Sequence, residues 1–168
     1  SPRYTTNGNE SNSEFLIVAS EDNTIVKITP TRNTDKGKLA NVQFSITLNK
    51  GQSYQVQAGN TDLTGKEDLT GSYVLANKPI AFFSGSKAVT IPIAGFLYAS
   101  YDHLYEQIPP TSTWGREFYV VPLKGRLKDT YRILAAEDGT LVKIEATGIT
   151  RTLARGEFYE FELFSNQA

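Results

Sequence analysis

Hydrophobic and polar residues alternate along most of the chain, which is the pattern of strands with one buried face. The segment "VQFSITL" (42–48) carries an apolar residue at every second position, and turn signals such as Glu21-Asp22-Asn23 separate neighbouring apolar runs. No stretch of a dozen residues repeats every 3.6 positions, and the best helical candidate is a turn or two at 102–107. The predicted strands are 15–19, 24–29, 42–48, 53–57, two within 72–86, 117–122, 131–136, 140–145, 150–153 and 157–164.

The strand pattern repeats along the chain. The segments "FLIVASEDNTIVKI" (15–28) and "YRILAAEDGTLVKI" (131–144) share eight of fourteen residues, and "LNKGQSYQV" (48–56) is followed later by the related "LARGEFYEF" (153–161). The pattern predicts an all-β fold, an antiparallel β-sandwich built from two related β-hairpin repeats.

The repeat also divides the chain. We predict an N-terminal arm at 1–13, a first β-repeat at 14–90, a connecting segment at 91–130 and a second β-repeat at 131–168. We predict that the second repeat is truncated, because nothing in it corresponds to the strand pair at 72–86. A missing strand pair would expose a sheet edge that can pair with another chain.

The repeated Glu-Asp-(Asn/Gly)-Thr motif has two interpretations. Its carboxylates could bind calcium. Alternatively, the motif forms a hairpin turn, in which Asp caps the loop and Asn23 or Gly139 adopts a positive φ. The exchange of Asn for Gly favours the turn, because a metal site would lose an oxygen ligand.

The composition narrows the classes of partner. The 168 residues suit one domain or two small ones, and 17 basic against 18 acidic residues give a net charge of −1. This balance favours neither nucleic acid nor an anionic membrane, and the apolar runs are too short to span a bilayer. The chain has no Cys, which excludes disulfides, thiol nucleophiles and cysteine metal sites. We therefore expect no nucleic-acid partner and no direct membrane insertion.

The segment "SYDHLYEQIPPTSTWG" (100–115) contains the single His and the single Trp of the chain. Catalysis is one interpretation, but the chain lacks a Gly-x-Ser-x-Gly turn around a nucleophile. A metal site is another, although transition-metal sites usually use more than one His or Cys. We predict a structural latch that joins the two repeats, formed by Asp102, His103, Glu106, Gln107 and Trp114.

In the latch, Asp102 would cap a short turn, and His103 or Gln107 would satisfy buried carbonyl groups. No catalytic, cofactor-binding or metal-binding residue is predicted.

Longer motifs carry a resemblance to a known family. The segments "EDNTIVKITP", "LNKGQSYQV", "YDHLYEQIPPTSTWGREFYVVPL" and "YRILAAEDGTLVKI" resemble, in this order, the N-terminal domain family of the IgGFc-binding protein. The resemblance covers nearly all of the chain. It implies an extracellular, all-β, non-enzymatic module, here a bacterial surface or adhesion-type member of the family.

We predict a non-enzymatic binding or structural module of a secreted or cell-surface protein, without a cofactor, that takes part in adhesion to a host or extracellular protein or glycan. The partner-binding surface is expected in the polar loop at 60–71 and the aromatic segment at 91–105, and core packing is the alternative for the aromatic residues. The predicted surface residues are Asp62, Lys66, Phe96, Tyr98 and Tyr101.

The alternative function is a carbohydrate-binding or carbohydrate-active β-sandwich. Glycoside hydrolysis needs two carboxylates at a set separation. Glu106 with Asp102 or Glu117 could supply them, although the spacing does not select that pair.

Overall fold

The computed structural model describes residues 4–6, 9–59, 68–89, 102–121 and 123–164. The chain divides into two compact units, Ser1–Pro109 and Pro110–Ala168. The first unit contains β1 (Tyr4–Thr6), β2 (Asn9–Ser11), β3 (Ser13–Ala19), β4 (Thr24–Thr29), β5 (Phe44–Leu48), β6 (Ser53–Gln57), β7 (Tyr73–Ala76), β8 (Ile80–Val89) and β9 (Asp102–Gln107). The second contains a short 3₁₀ turn (Thr111–Thr113), β10 (Lys128–Leu134), β11 (Thr140–Ile144), β12 (Ile149–Leu153) and β13 (Phe158–Phe164).

Two antiparallel sheets build the first unit. One has the strand order β6-β3-β8-β9 and the other the order β5-β4-β7, while β1 and β2 pair with each other. Every second residue of β3 and β4 is buried. Phe15 and Ile17 of one sheet and Val26 and Ile28 of the other belong to a single hydrophobic cluster, so the two sheets pack face to face. The predicted all-β antiparallel sandwich is confirmed.

The second unit has two smaller sheets. β10 pairs with β13 and β11 pairs with β12, both antiparallel. Its buried core consists of Ala135, Val142, Ile144, Leu153 and Leu163. The ring of Phe161 stacks with those of Tyr131 and Tyr159, at centroid distances of 5.6 and 5.9 Å, and these aromatic residues pack against the buried cluster. The unit is therefore held together by aliphatic residues on the inside and aromatic residues around them.

The repeated Glu-Asp motif forms the same turn in both units. The carboxylate of Asp22 accepts the backbone N–H of Lys50 at 2.9 Å, and the carboxylate of Asp138 accepts that of Arg155, also at 2.9 Å. The following residues, Asn23 and Gly139, have φ values of 54° and 70°. The expected positive φ is confirmed, and each carboxylate bonds its hairpin turn to the turn that precedes β6 in the first unit or β13 in the second.

The segment at 102–107 differs from its prediction as a helical turn, because it forms strand β9. Its register runs from Phe83↔Gln107 to Val89↔Asp102, with an irregularity between Ser86 and Val89. A short segment of mixed apolar and polar residues has no strong conformational preference of its own. Here its backbone N–H and C=O groups pair with those along the edge of β8. The turn that Asp102 was expected to cap is thus replaced by a strand.

The segment at 117–122 was predicted to form a strand, and its described residues, 117–121, do not. It has the aromatic and β-branched composition of a strand, yet residues 117–121 are not in one, and Pro122 lies outside the described residues. Residues with high β-propensity form a strand where a partner strand and a packing surface are present. The described strands provide neither to this segment.

Two of the predicted boundaries also fall on described strands. The predicted arm at 1–13 includes β1, β2 and the first residue of β3. The predicted connecting segment at 91–130 is divided between the two units after Pro109. The domain boundaries themselves stay predictions.

Candidate functional site

Strand β9 lies at the outer edge of the four-stranded sheet of the first unit. It pairs with β8, and all six of its residues are exposed. Gly85 permits this pairing, because a Cβ at that position would lie 3.1 Å from the backbone oxygen of Leu104. Real Cβ atoms rarely come that close to a backbone atom. A larger residue at position 85 would therefore require the backbone of β9 at Leu104 to shift by a few tenths of an ångström.

An aromatic pair stands on the outer face of this sheet. Antiparallel partners share a face, and the register pairs Glu14 with Gly85, Gly85 with Tyr105, and Leu16 with Phe83. Phe15, on the opposite face, is part of the core. The rings of Phe83 and Tyr105 stack at a centroid distance of 5.4 Å and an interplanar angle of 9°.

Tyr105 is the exposed member of the pair. It is 64% exposed, whereas Phe83 is half-buried. The stacked ring of Phe83 holds the tyrosine ring in place, so a partner that covers Tyr105 would not have to order it first. A fixed, exposed aromatic ring is the type of side chain that anchors protein and glycan partners.

Polar groups lie beside the aromatic pair. One carboxylate oxygen of Glu14 accepts hydrogen bonds from the side-chain amides of Gln55 and Gln57, both at 2.7 Å. Gln55 also pairs in register with Leu16, whose other neighbour is Phe83. We call this set the outer-face surface: Glu14, Leu16, Gln55, Phe83 and Tyr105. It combines a rigid aromatic centre with a carboxylate that two amides hold in position.

The predicted latch residues of the first unit do not lie in its core. Asp102, His103, Glu106 and Gln107 are all exposed. One oxygen of Asp102 contacts the backbone N–H of His103 at 2.8 Å and its Nδ1 at 3.0 Å. The expectation that His103 or Gln107 satisfies buried carbonyl groups is therefore wrong, because the strand places both side chains toward solvent.

Trp114, the remaining latch residue, follows the 3₁₀ turn of the second unit. It is half-buried, and its backbone N–H bonds to the carbonyl of Thr111 at 3.2 Å. Thr113 closes the same turn by donating its hydroxyl to the carbonyl of Pro110 at 2.8 Å. That the five latch residues join the two repeats stays a prediction.

A second exposed surface, Phe118–Val121, follows this turn. Tyr119 is 87% exposed and Phe118 is 73% exposed. The hydroxyl of Tyr119 donates a hydrogen bond to Glu117 at 2.7 Å, and this bond to the carboxylate raises the pKa of the Tyr119 phenol. The two rings thus present a large aromatic area on the second unit.

The predicted partner-binding residues cannot be placed. Asp62, Lys66, Phe96, Tyr98 and Tyr101 all lie outside the described residues, so their role stays a prediction.

Of the outer-face surface, Tyr105 lies at the end of the segment 91–105 that was predicted to bind a partner, and the other four residues were not predicted as a site. No pattern in the sequence singles out Phe83, which is one of two adjacent phenylalanines in a short apolar run. Pairing the alternation of β8 with that of β9 would have placed Phe83 and Tyr105 on one face, but this step needs the strand register.

The part of the chain that the structure describes contains no group of three or more His, Cys, Asp or Glu residues arranged to hold a metal ion. Among the same residues, no helix is long and apolar enough to cross a bilayer.

Comparison with known proteins points to one family. The family model described as "IgGFc binding protein" matches residues 1–167. The IgGFc-binding protein of Homo sapiens is 30% identical over 155 residues, which make up 89% of this chain and 3% of the human protein. The chain therefore spans only a small part of that relative. No solved structure matches the chain.

Proposed function

The chain belongs to the IgGFc-binding protein family, and from this premise we propose that it is a non-enzymatic module that binds an extracellular protein through the outer-face surface. The family name, and that of the human relative, describe binding to the Fc region of immunoglobulin G. Immunoglobulin G is an extracellular protein, so this name supports the proposed secreted or cell-surface location. The role in adhesion and the bacterial origin stay predictions.

The observation that carries the proposal is the stacked pair of Phe83 and Tyr105 on a sheet face. A sheet provides a rigid base, and the stack fixes an aromatic side chain that remains 64% exposed. Interfaces concentrate binding energy in a few aromatic anchors that polar groups surround. Glu14 with its two amide donors supplies the polar groups at this site.

A surface plasmon resonance experiment tests the proposal. The chain is passed over immobilised immunoglobulin G Fc, the probe that the family name suggests. We expect saturable binding that Tyr105→Ala weakens about tenfold or more, because a central aromatic anchor is worth roughly 2 kcal/mol in a protein interface. Phe83→Ala should weaken binding less, since Phe83 acts mainly by supporting the tyrosine ring.

Tyr119→Ala is the matched control. It removes an exposed tyrosine from the second unit and leaves the outer-face surface intact, so binding should not change. Loss of binding in Tyr119→Ala but not in Tyr105→Ala would place the site on the second unit and contradict the proposal.

A glycan array and a panel of chromogenic glycosides test the other classes. Retention of a glycan that depends on Tyr105, without binding to Fc, would support the carbohydrate-binding alternative in place of the proposal. Turnover of a glycoside would contradict the non-enzymatic assignment.

A further inference from the structure

One row of residues crosses the four-stranded sheet of the first unit. The register pairs Glu14 of β3 with Gln57 of β6 and with Gly85 of β8. Gly85 in turn pairs with Tyr105 of β9. Antiparallel register partners share a face, and this row belongs to the outer face, opposite the core residue Phe15. Because glycine has no side chain, β8 places no group between the carboxylate of Glu14 and the ring of Tyr105 on this face.

We call the space above Gly85, between Glu14 and Tyr105, the Gly85 gap. Neighbouring strands of a sheet lie about 4.8 Å apart, so the backbones of Glu14 and Tyr105, two strands apart, are separated by about 10 Å. The carboxylate leans into the gap, because its Oε1 lies 3.9 Å from the position that a Cβ of Gly85 would occupy. The gap thus has the width of one planar side-chain group between the carboxylate and the aromatic ring.

The two oxygens of the Glu14 carboxylate have different roles. Oε2 accepts both amide hydrogen bonds, from Gln55 and Gln57 at 2.7 Å each. A carboxylate oxygen has about two lone pairs to offer, so Oε2 is fully used. Within the described part of the chain, no donor bonds to Oε1 and no Lys or Arg forms an ion pair with Glu14. The half-buried carboxylate is therefore held in a fixed orientation, with one oxygen left for the donor of a partner.

The aromatic side of the gap is also held in place. Phe83 stacks on Tyr105 at an interplanar angle of 9°, and Tyr105 is still 64% exposed. The face of an aromatic ring carries negative potential and attracts a cation that lies within about 6 Å of its centroid. The gap thus has a carboxylate on one side and an aromatic ring on the other, and both attract a positive charge.

A guanidinium suits this pair of groups better than an ammonium does. It is planar, so it can stack on an aromatic ring and at the same time donate an N–H in its own plane to a carboxylate oxygen. An ammonium is a compact, strongly hydrated charge that does not stack. The four strands of this sheet contain no arginine, so they do not supply the guanidinium themselves.

We propose that the outer-face surface recognises an arginine side chain of its partner, whose guanidinium enters the Gly85 gap. One N–H donates to Oε1 of Glu14, and the plane of the guanidinium lies against the ring of Tyr105. This inference rests on the proposed function, because it takes the outer-face surface as the binding site and adds the chemical group that the site accepts. Glu14 is then the residue that sets specificity, and Tyr105 supplies the contact area.

Three capped peptides test this chemistry on the unaltered chain: Gly-Arg-Gly, Gly-citrulline-Gly and Gly-Lys-Gly. Citrulline has the shape of arginine without its charge, and lysine has the charge without the planar group. NMR spectra of the isotope-labelled chain follow each titration. We expect the arginine peptide to shift the amide resonances of Glu14, Gly85 and Tyr105. It should bind about tenfold more tightly than the citrulline peptide, because only the guanidinium makes a charge-assisted hydrogen bond. It should also bind more tightly than the lysine peptide.

A pair of variants tests the carboxylate. Glu14→Gln keeps the shape of the side chain and an acceptor oxygen for the two amides, but it removes the charge. Glu106→Gln is the matched control, because it removes the same charge from the other face of the sheet, where its register partner Ser84 pairs with Phe15. We expect Glu14→Gln to weaken binding of the arginine peptide about tenfold and Glu106→Gln to leave it unchanged. Circular dichroism checks that both variants fold; if Glu14→Gln unfolds, the three peptides decide the result on the unaltered chain.

Several outcomes would overturn the inference. They are no binding of the arginine peptide, equal binding of the citrulline or the lysine peptide, shifts confined to residues away from the outer-face surface, and a folded Glu14→Gln variant that binds as well as Glu106→Gln. Arg3 lies outside the described residues. Peptide binding that appears only in Arg3→Gln would assign the gap to the chain's own arginine and would also contradict the inference.

Binding to Fc, measured with the same variants, separates this inference from the proposed function. If Tyr105→Ala weakens Fc binding while Glu14→Gln does not, and no peptide binds selectively, the inference is wrong and the proposed function stands. Selective binding of the arginine peptide without any binding to Fc would support the inference and contradict Fc as the partner.

Discussion

The first unit contains sheets of four and three strands, whereas the corresponding strands of the second unit form two sheets of two strands. The turns are alike in both. Asp22 and Asp138 accept backbone N–H groups at the same distance, and Thr24 and Thr140 each donate a hydroxyl to a carbonyl at 2.7 Å. The two units differ in how deeply equivalent residues are buried: Ile17 is fully buried, whereas Ile133 is half-buried. The same hydrogen bonds thus stabilise the hairpin turns of both units, and the additional strands of the first unit bury its core residues more deeply.

The largest expected effect concerns the two related isoleucines. Ile17→Ala should lower the free energy of unfolding by about 3 kcal/mol, because the residue is fully buried between two strands and leaves a cavity. Ile133→Ala should cost about 1–2 kcal/mol, because the side chain is only half-buried. Urea unfolding of each variant, followed by amide exchange in each unit, measures the two losses. Equal losses would show that the smaller number of described strands beside β10 does not weaken its core.

A smaller effect is expected at the shared turns. Asp22→Ala and Asp138→Ala should each cost about 1 kcal/mol, because each removes a charge-assisted hydrogen bond to a backbone N–H near the surface. Asn substitutions keep an acceptor oxygen and serve as controls with smaller losses. Thermal melting of the four variants makes the comparison. A large loss at one turn and none at the other would contradict their equivalence.

The smallest effect is expected for the ion pair between Arg132 and Glu160, which joins β10 to β13. The residues at the corresponding positions of the first unit are Leu16 of β3 and Gln55 of β6, which are register partners and form no ion pair. A double-mutant cycle with alanine at both positions should give a coupling of about 0.5 kcal/mol that falls as salt is added. Leu16 and Gln55 provide the control cycle, whose coupling should not depend on salt. A coupling of Arg132 with Glu160 that is insensitive to salt would contradict an electrostatic origin.

Local pattern was enough to predict most of the strands. The alternation within 24–29 and 53–57 matches β4 and β6 at both ends, because a strand with one buried face must alternate. The positive φ of Asn23 and Gly139 was predictable for a similar reason. Few residues other than Gly and Asn adopt that conformation at low cost.

The candidate site depended on pairing between distant segments. The stack of Phe83 and Tyr105 requires β8 and β9 to be in register, and a short sequence does not specify its partner. The same reason explains why 102–107 forms a strand while 117–121 does not, although the second segment has the stronger β-propensity.

By itself the sequence determined the all-β class, the hairpin turns and the alternation that separates buried from exposed faces, because each depends on residues close together in the chain. The tertiary structure alone decided which strands have two neighbours, which side chains share the outer-face surface, and how deeply equivalent residues such as Ile17 and Ile133 are buried. These properties depend on contacts between segments far apart in the chain, where the energy of pairing outweighs the weak preference of each segment alone.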